Sequence, residues 1–334
     1  MSYRSTVARQ PQSLADTISS VGAELGGVDL SPLSDGVVVV TGIGASYAAA
    51  VVVAGELQRC GRRAFAVRSD DVTRIGALAD IVIGLSHRGR SVETVNALRS
   101  SSSAVRLAIT NDSASPLAQV AQLHVQMNNG SDATPSSTGY TATLAAAGLV
   151  WDALQEQEAA DWLPIPSIAE TILSGAAAKM DRLGRLFADR RAIDCVGAGS
   201  SLGTADGASL LIREAARIPA AAFDTRHYLH GPMEAMDGST GVVIFGNGRE
   251  IELARQLSAI GCPTLLVTSD ASVEDSEVMT VIRVPTCRNR IAQGIADIIA
   301  PQLLAATLSD AAGLTDTKFR YRQTDTKVPS AVNA

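Results

Sequence analysis

The sequence predicts an α/β fold of doubly wound parallel sheets flanked by helices, and three observations predict it. Short β-branched runs alternate with Ala-rich helical stretches along the chain, which is the rhythm of βαβ units. Two of these runs pass directly into small, hydroxyl-rich turns, Val37-Val38-Val39-Val40-Thr41-Gly42-Ile43-Gly44-Ala45-Ser46 and Ile81-Val82-Ile83-Gly84-Leu85-Ser86-His87-Arg88-Gly89-Arg90-Ser91. The pattern then recurs. Gly42-Ile43-Gly44-Ala45-Ser46 has a counterpart in Gly197-Ala198-Gly199-Ser200-Ser201, and Ala108-Ile109-Thr110-Asn111-Asp112 is matched by Leu265-Leu266-Val267-Thr268-Ser269-Asp270. A repeat at this level of detail implies two copies of one unit.

The elements follow in order. Residues before Asp35 read as an N-terminal helix packed on the first unit. The first unit has expected strands at Val37–Val40, Ala64–Val67, Ile81–Leu85, Leu107–Thr110 and Leu123–Met127, with helices such as Ala48–Cys60 and Val92–Ser100 between them. A long helix starts near Tyr140, and the prolines of Trp162-Leu163-Pro164-Ile165-Pro166-Ser167 are expected to stop it and to mark the boundary between units. The second unit has expected strands at Ile193–Val196, Ala220–Phe223, Val242–Phe245, Leu265–Thr268 and Val281–Val284. After Gly313 comes a polar tail without a core-forming period, either loose or folded over a site. The expected division is 1–34, 35–163, 164–312 and 313–334.

Composition limits the function. A chain of 334 residues can bury two ordinary cores, and 46% apolar with 19% charged residues describes a soluble globular protein. A net charge of −6 argues against nucleic acid as the main partner. The apolar stretches are broken well short of a membrane span, and the first residues carry no apolar leader, so a cytoplasmic location is expected. Cys60, Cys195, Cys262 and Cys287 lack metal-type spacing and read as small buried hydrophobes in a reducing compartment; no metal or cofactor is expected. Lysines are confined to Lys179, Lys318 and Lys327, so an amine nucleophile has few candidates.

The two turns carry the chemistry. Unpaired N–H groups at a helix start, with the positive end of its dipole, make an anion site, and serine hydroxyls add donors without bulk. Two such turns at the carboxyl edge of one parallel sheet suggest a phosphate-bearing small molecule. Each serine could instead be an ordinary helix cap. Arg88 could grip an anion through its bidentate fork, fill the anion's place, recognise a carboxylate, or sit solvated at the loop tip.

These residues resemble the sugar-isomerase (SIS) domain family, in the tandem arrangement found in the isomerase half of glucosamine-6-phosphate synthase and in deglycases. The likeness runs from about Val37 to Lys327. It rests on Gly44-Ala45-Ser46, Ser86-His87-Arg88-Gly89-Arg90-Ser91 and Ser136-Ser137-Thr138-Gly139-Tyr140-Thr141-Ala142. The second unit adds Arg213-Glu214, followed sixteen residues after Glu214 by His230-Gly231-Pro232. The resemblance implies that Gly44, Ala45, Ser46, Ser86, His87, Arg88 and Ser91 hold a phosphate, with Ser136 and the backbone near Thr134 positioning the sugar. It further implies that Glu214 moves a proton between C1 and C2. His230, often from the partner subunit of a homodimer with shared sites, would open or close the ring, and Lys327 would form an imine with the keto sugar.

The chain departs from the synthase pattern at Leu211 and Thr138, where that family has lysines, and at His87 and Arg88. It carries no glutaminase segment, so any amine would come from a separate subunit or be released. The expected function is a sugar-phosphate, aminosugar-type isomerase or deglycase/deaminase acting without a cofactor. The alternatives are a non-catalytic sugar-phosphate sensor and an enzyme for an unphosphorylated or carboxylated sugar.

Overall fold

The computed structural model describes residues 2–157, 159–314, 319–321 and 323–329, and within them the chain builds two parallel five-stranded sheets with flanking helices. The first half supplies β1 (Val38–Gly42), β2 (Ala64–Arg68), β3 (Ile81–Leu85), β4 (Val105–Thr110) and β5 (Leu123–Gln126). The second supplies β6 (Ile193–Gly197), β7 (Ala220–Asp224), β8 (Gly241–Phe245), β9 (Thr264–Thr268) and β10 (Met279–Arg283). The α-helices are α1 (Tyr3–Ala8), α2 (Gln10–Leu25), α3 (Ala45–Arg59), α4 (Ser69–Ile75), α5 (Val92–Ser100), α6 (Pro116–Gln119) and α7 (Thr138–Leu154) in the first half. They continue with α8 (Ile165–Ala177), α9 (Met180–Phe187), α10 (Ser201–Leu211), α11 (Thr225–Tyr228), α12 (Arg249–Ala259) and α13 (Arg290–Ala311).

Strand order is β2-β1-β3-β4-β5 in one sheet and β7-β6-β8-β9-β10 in the other, the same winding twice. Strands β1, β8 and β9 are buried along their whole length, as parallel strands covered on both faces must be. In this order the connections leave β1 and β3 in opposite directions, opening a crevice at their carboxyl ends. The turns singled out above flank that crevice. The corresponding turns of the two halves agree in detail. Gly44 and Gly199 have φ of +57° and +58°, and a Cβ on Gly42 or Gly197 would come within 2.8 or 2.6 Å of Ser46 or Ser201. Only glycine fits where strand and helix approach so closely.

Several expectations need correction. The prolines do not stop the long helix. It ends at Leu154, ahead of a left-handed Glu156 (φ +54°), while Pro164 caps and Pro166 opens α8. Proline is well tolerated in a first turn, whose N–H groups have no intrahelical partner. The N-terminal segment is two α-helices and spans both halves: Gln10 accepts from Thr141 Oγ1 at 2.5 Å and donates to Gln302 Oε1 at 2.7 Å. Cys60 is exposed at the end of α3, and Cys287 is only half-buried. Among the described residues one helix, α13, is long and apolar enough to cross a membrane, contrary to the reading of broken stretches, but that segment is almost entirely buried inside the protein. Its polar Gln293 and Asp297 bond to each other at 2.8 Å.

The halves meet where α3 crosses α10 antiparallel. A methyl on Gly203 would fall 2.5 Å from the Ala48 carbonyl oxygen, and one on Gly55 would fall 2.9 Å from Ser200 Cα. Backbone lies against backbone here, so neither neighbour can swing aside. Gly203→Ala is expected to cost about 1–3 kcal/mol through overpacking. A lower urea midpoint with an unchanged m-value would register the loss.

Candidate functional site

The site begins at Gly44, whose positive φ turns the chain from β1 into α3 and leaves Ser46 in the first helical turn. Behind it, a chain of buried hydroxyls ties the strand end to neighbouring helices: Thr41 to Ser69 at 3.1 Å and Ser69 to Thr94 at 3.2 Å. At the end of β3, Ser86 and Ser91 are both buried and their hydroxyls lie 3.4 Å apart. Gly89, with φ +60°, closes this loop against Ser115. Arg88 is exposed at the loop tip and has no hydrogen-bond partner among the described residues, so it does not fill the space between the serines.

His87 turns inward. Its Nε2 lies 2.9 Å from Asn129 Oδ1, and burial holds its pKa below the ordinary value, favouring the neutral ring. Ser136 is committed to the chain's own carboxylate: its hydroxyl donates to Asp132 Oδ2 at 2.8 Å, as do the N–H groups of Ser137 and Gly139. Asp132 therefore occupies the start of α7, where its charge meets the helix dipole. A Cβ on Gly139 would meet both Asp132 and His87 at 2.9 Å, so this glycine lets the three groups pack together. Thr134, joined to Pro135 by a cis peptide, is exposed in the same loop.

Glu214 comes from the other half yet faces this one. Antiparallel packing of α3 and α10 brings the end of α10 to the beginning of α3, and a Cβ on Gly44 would touch Leu210 at 3.8 Å. The helix then widens into a π-helical turn, Ile212–Ala216, that ends at a left-handed Arg217 (φ +60°). Such widened turns often serve functional sites. Glu214 is half-buried and has no ion pair among the described residues, although Arg213 and Arg217 flank it. Arg213 donates instead to the Ala220 carbonyl at 3.0 Å. Burial alone raises the Glu214 carboxyl to about 7.

Glu214 opens onto a cleft of about 410 Å³ lined also by Leu210, Arg213, Arg217, Phe319, Arg320 and Tyr321. The tail therefore lies over the cleft. Beyond it, Thr326–Val328 docks on the second serine turn. Val92 N donates to Thr326 O at 3.3 Å, Val328 N to Arg90 O at 2.8 Å, and Arg90 Nε to Val328 O at 2.8 Å. Lys327 Nζ donates to Ser91 Oγ at 2.9 Å. Five Cα–Cα steps separate Tyr321 from Thr326 and span at most about 18 Å, so one short stretch of tail links the Glu214 cleft to the Ser86–Ser91 turn.

The arrangement thus brings together Gly44, Ala45, Ser46, Ser86, Ser91, Arg88, Glu214 and Lys327. His230 is not among them. It is exposed beyond α11, at the carboxyl edge where Asp224 pairs with Gly197 and α10 begins, whereas Glu214 sits past the far end of α10. About 20 Å of helix separates the two ends. Tyr3 was not foreseen. Its buried hydroxyl has no hydrogen-bond partner among the described residues, and burial with the nearby charges of Asp132 and Glu214 pushes its pKa well up. One phenol thus sees both the loop before α7 and the glutamate. Lys318 and Arg322 lie outside the described residues.

The raised Glu214 pKa makes a stability prediction. Its folded value, about 7, exceeds the unfolded 4.5, so its stabilising contribution is complete below pH 4.5 and is lost as pH rises through 7. Glu214→Gln should therefore be more stable than the parent at pH 8 by about 1–3 kcal/mol, with the gap closing below pH 4.5. Paired urea titrations at both pH values measure this.

Residues 34–153 match the SIS domain family. The glutamine–fructose-6-phosphate aminotransferases [isomerizing] of Sulfolobus acidocaldarius and Sulfurisphaera tokodaii are each 23% identical over 283 residues, covering 81% of this chain and 48% of theirs. The chain spans about half the length of the curated relatives it matches. Among solved structures, the C-terminal domain of glucosamine-fructose-6-phosphate aminotransferase from Francisella tularensis superposes with a TM-score of 0.82 at 18% identity, covering 94% of this chain and 96% of that one. Tagatose-6-phosphate ketose/aldose isomerase from Escherichia coli gives 0.78 at 18% identity, covering 94% of each chain. Glucosamine-6-phosphate deaminase from Thermotoga maritima gives 0.72 at 15% identity, covering 92% and 96%. At these identities the likeness to solved structures establishes the fold.

Proposed function

We propose that this chain, whose residues 34–153 match the SIS domain family, is a sugar-phosphate isomerase or deglycase/deaminase of the aminosugar type, built from two tandem units. The observation that carries the reading is Glu214: a carboxylate held near neutrality by burial, beside the Gly44 turn, and facing a cleft of sugar size. Ser46, Ser86 and Ser91 receive the phosphate. Arg88, exposed and unpaired among the described residues, leaves that seat open to a ligand, which favours a phosphorylated substrate over a carboxylated one.

For a 2-amino aldose the steps balance as follows. Glu214 takes the C2 proton, the electron pair forms C1=C2, and O1 gains a proton. The same carboxyl returns a proton to C1 while C2 becomes an imine, and water then replaces ammonia to leave the ketose. A carboxyl near pH 7 suits both halves of this transfer. His230 of this chain lies too far from its own Glu214 to assist ring opening, which supports a homodimer in which each site borrows the partner's imidazole. The nearby His87 remains neutral and positions the loop before α7.

Incubating the protein in D₂O with fructose 6-phosphate, glucosamine 6-phosphate and a ketosamine 6-phosphate tests the reading. Deuterium should appear at C1 or C2 of at least one of them, detected by mass spectrometry. Binding without exchange by any of these sugars would favour a sensor, and neither binding nor exchange would reject the reading.

A further inference from the structure

We infer that Tyr3 is a positioning residue for Glu214: its phenol donates a hydrogen bond to the ionised carboxylate and holds one oxygen of the base toward the cleft. This rests on the sugar-phosphate reading and deepens it, adding a residue that acts through the base and not on the sugar. Three observations carry it. Tyr3 is 3% exposed, does not line the cleft, and its hydroxyl has no hydrogen-bond partner among the described residues. A buried donor left without an acceptor is costly, so its partner is to be sought in another state of the site. The helix that carries it is firmly placed. Ser137 Oγ donates to Thr6 Oγ1 at 2.8 Å, and Arg4 pairs with Asp310 at 2.6 Å, so α1 is fixed to the start of α7 and the end of α13. Lastly, two carboxylates lie within electrostatic range of the phenol, Asp132 and Glu214, and only one has room for its proton. Asp132 Oδ2 already accepts from Ser136 Oγ, Ser137 N and Gly139 N, and Oδ1 from Ser137 Oγ and Ala133 N. A carboxylate offers about four lone-pair sites, so Asp132 is saturated. Glu214 accepts no hydrogen bond among the described residues.

The surrounding charges leave this role to the phenol. Arg213 and Arg217 on the glutamate's own turn, and Arg320 on the tail, line the cleft side. His87 is held by Asn129, and Asp206 of α10 lies within range of Arg68. On α13, against which α1 and the π-helical turn both pack, Asp310 is taken by Arg4 and Asp297 by Gln293. Burial and its two negative neighbours push the Tyr3 pKa well up, so the phenol keeps its proton and serves as a neutral donor. A hydrogen bond to the ionised carboxylate favours that form and makes the base available at lower pH. It occupies one oxygen and leaves the other to take the C2 proton. Once Glu214 is protonated the bond loses its charge assistance, and the carboxyl is free to deliver the proton to C1.

Tyr3→Phe removes the donor and keeps the ring. The acid limb of its kcat profile should lie about one to two pH units above that of wild type, with KM and the high-pH plateau changed only a few-fold. Urea unfolding gives a reading independent of turnover. The Tyr3→Phe midpoint should fall below that of wild type at pH 9, and match or exceed it at pH 5, where Glu214 is protonated and the phenol serves no anion. In a Glu214→Gln background this pH dependence should vanish. A fluorinated tyrosine at position 3, a stronger donor of nearly the same shape, should move the limb the opposite way, and it replaces Tyr3→Phe as the test if that variant does not fold. An unshifted limb, the same midpoint difference at both pH values, or a pH-dependent difference that survives Glu214→Gln would overturn the inference. Failure of wild type itself to turn over any sugar phosphate would instead count against the functional reading beneath it, while the urea comparison still decides the role of Tyr3.

Discussion

Glu214→Gln is expected to lower turnover of the sugar phosphate by about 10²–10⁴-fold, the usual contribution of a positioned general base, while leaving affinity within a few-fold of wild type. Glutamine keeps the shape of the side chain and its seat in the π-helical turn, but it cannot carry a proton between two carbons. The same residue sets the pH profile. Its carboxyl must be ionised to take the first proton, and burial places that ionisation at about pH 7. The rate should therefore rise roughly tenfold per pH unit below 7 and level off above it, and in the variant this limb should vanish. Steady-state kinetics from pH 5 to 9 on both proteins measure the effect. A variant that retained the parental limb would assign that ionisation to another group.

Ser86→Ala combined with Ser91→Ala should weaken binding of a phosphorylated sugar by about 10²–10⁴-fold, from two lost bonds to a charged group at about 1.5–3 kcal/mol each. The two hydroxyls are 3.4 Å apart and share their surroundings, so the double variant should lose less than the sum of the single ones. Removing the Ser91 hydroxyl also strips Lys327 of its hydrogen-bond acceptor and loosens the tail. Calorimetry with glucosamine 6-phosphate and with glucosamine separates the contributions: the penalty should appear only with the phosphate present.

Much of the fold was legible because its signals are local. Each expected strand is present with ends displaced by at most two residues, since a short β-branched run closed by Gly or Ser has few other uses in an α/β chain. The likeness of the two strand-to-helix turns was visible for the same reason, as Gly42 and Gly197 face the same steric demand. What escaped is long-range. Nothing in Tyr3–Ala8 announces that its phenol ends between Asp132 and Glu214, because that burial comes from packing against helices more than a hundred residues away. The docking of Thr326–Val328 rests on a few backbone bonds in a segment without periodicity. Nor does the sequence announce that Asp132 accepts from the N–H groups of Ser137 and Gly139 at the start of α7, five and seven residues further on. Leu211 and Thr138, which depart from the synthase pattern the sequence resembles, are buried packing residues at 5% and 0% exposure. Glu214 was singled out by its spacing to His230, and the fold keeps the two at opposite ends of α10 within one chain.

The most direct test of the account is a crystal structure of Glu214→Gln with glucosamine 6-phosphate, a variant able to bind the sugar and unable to turn it over. The account predicts the phosphate on the hydroxyls of Ser46, Ser86 and Ser91, with the sugar's C2 within about 3.5 Å of the residue 214 amide. A phosphate seated instead among Arg213, Arg217 and Arg320, or a sugar whose C1 and C2 point away from residue 214 in every subunit, would contradict it.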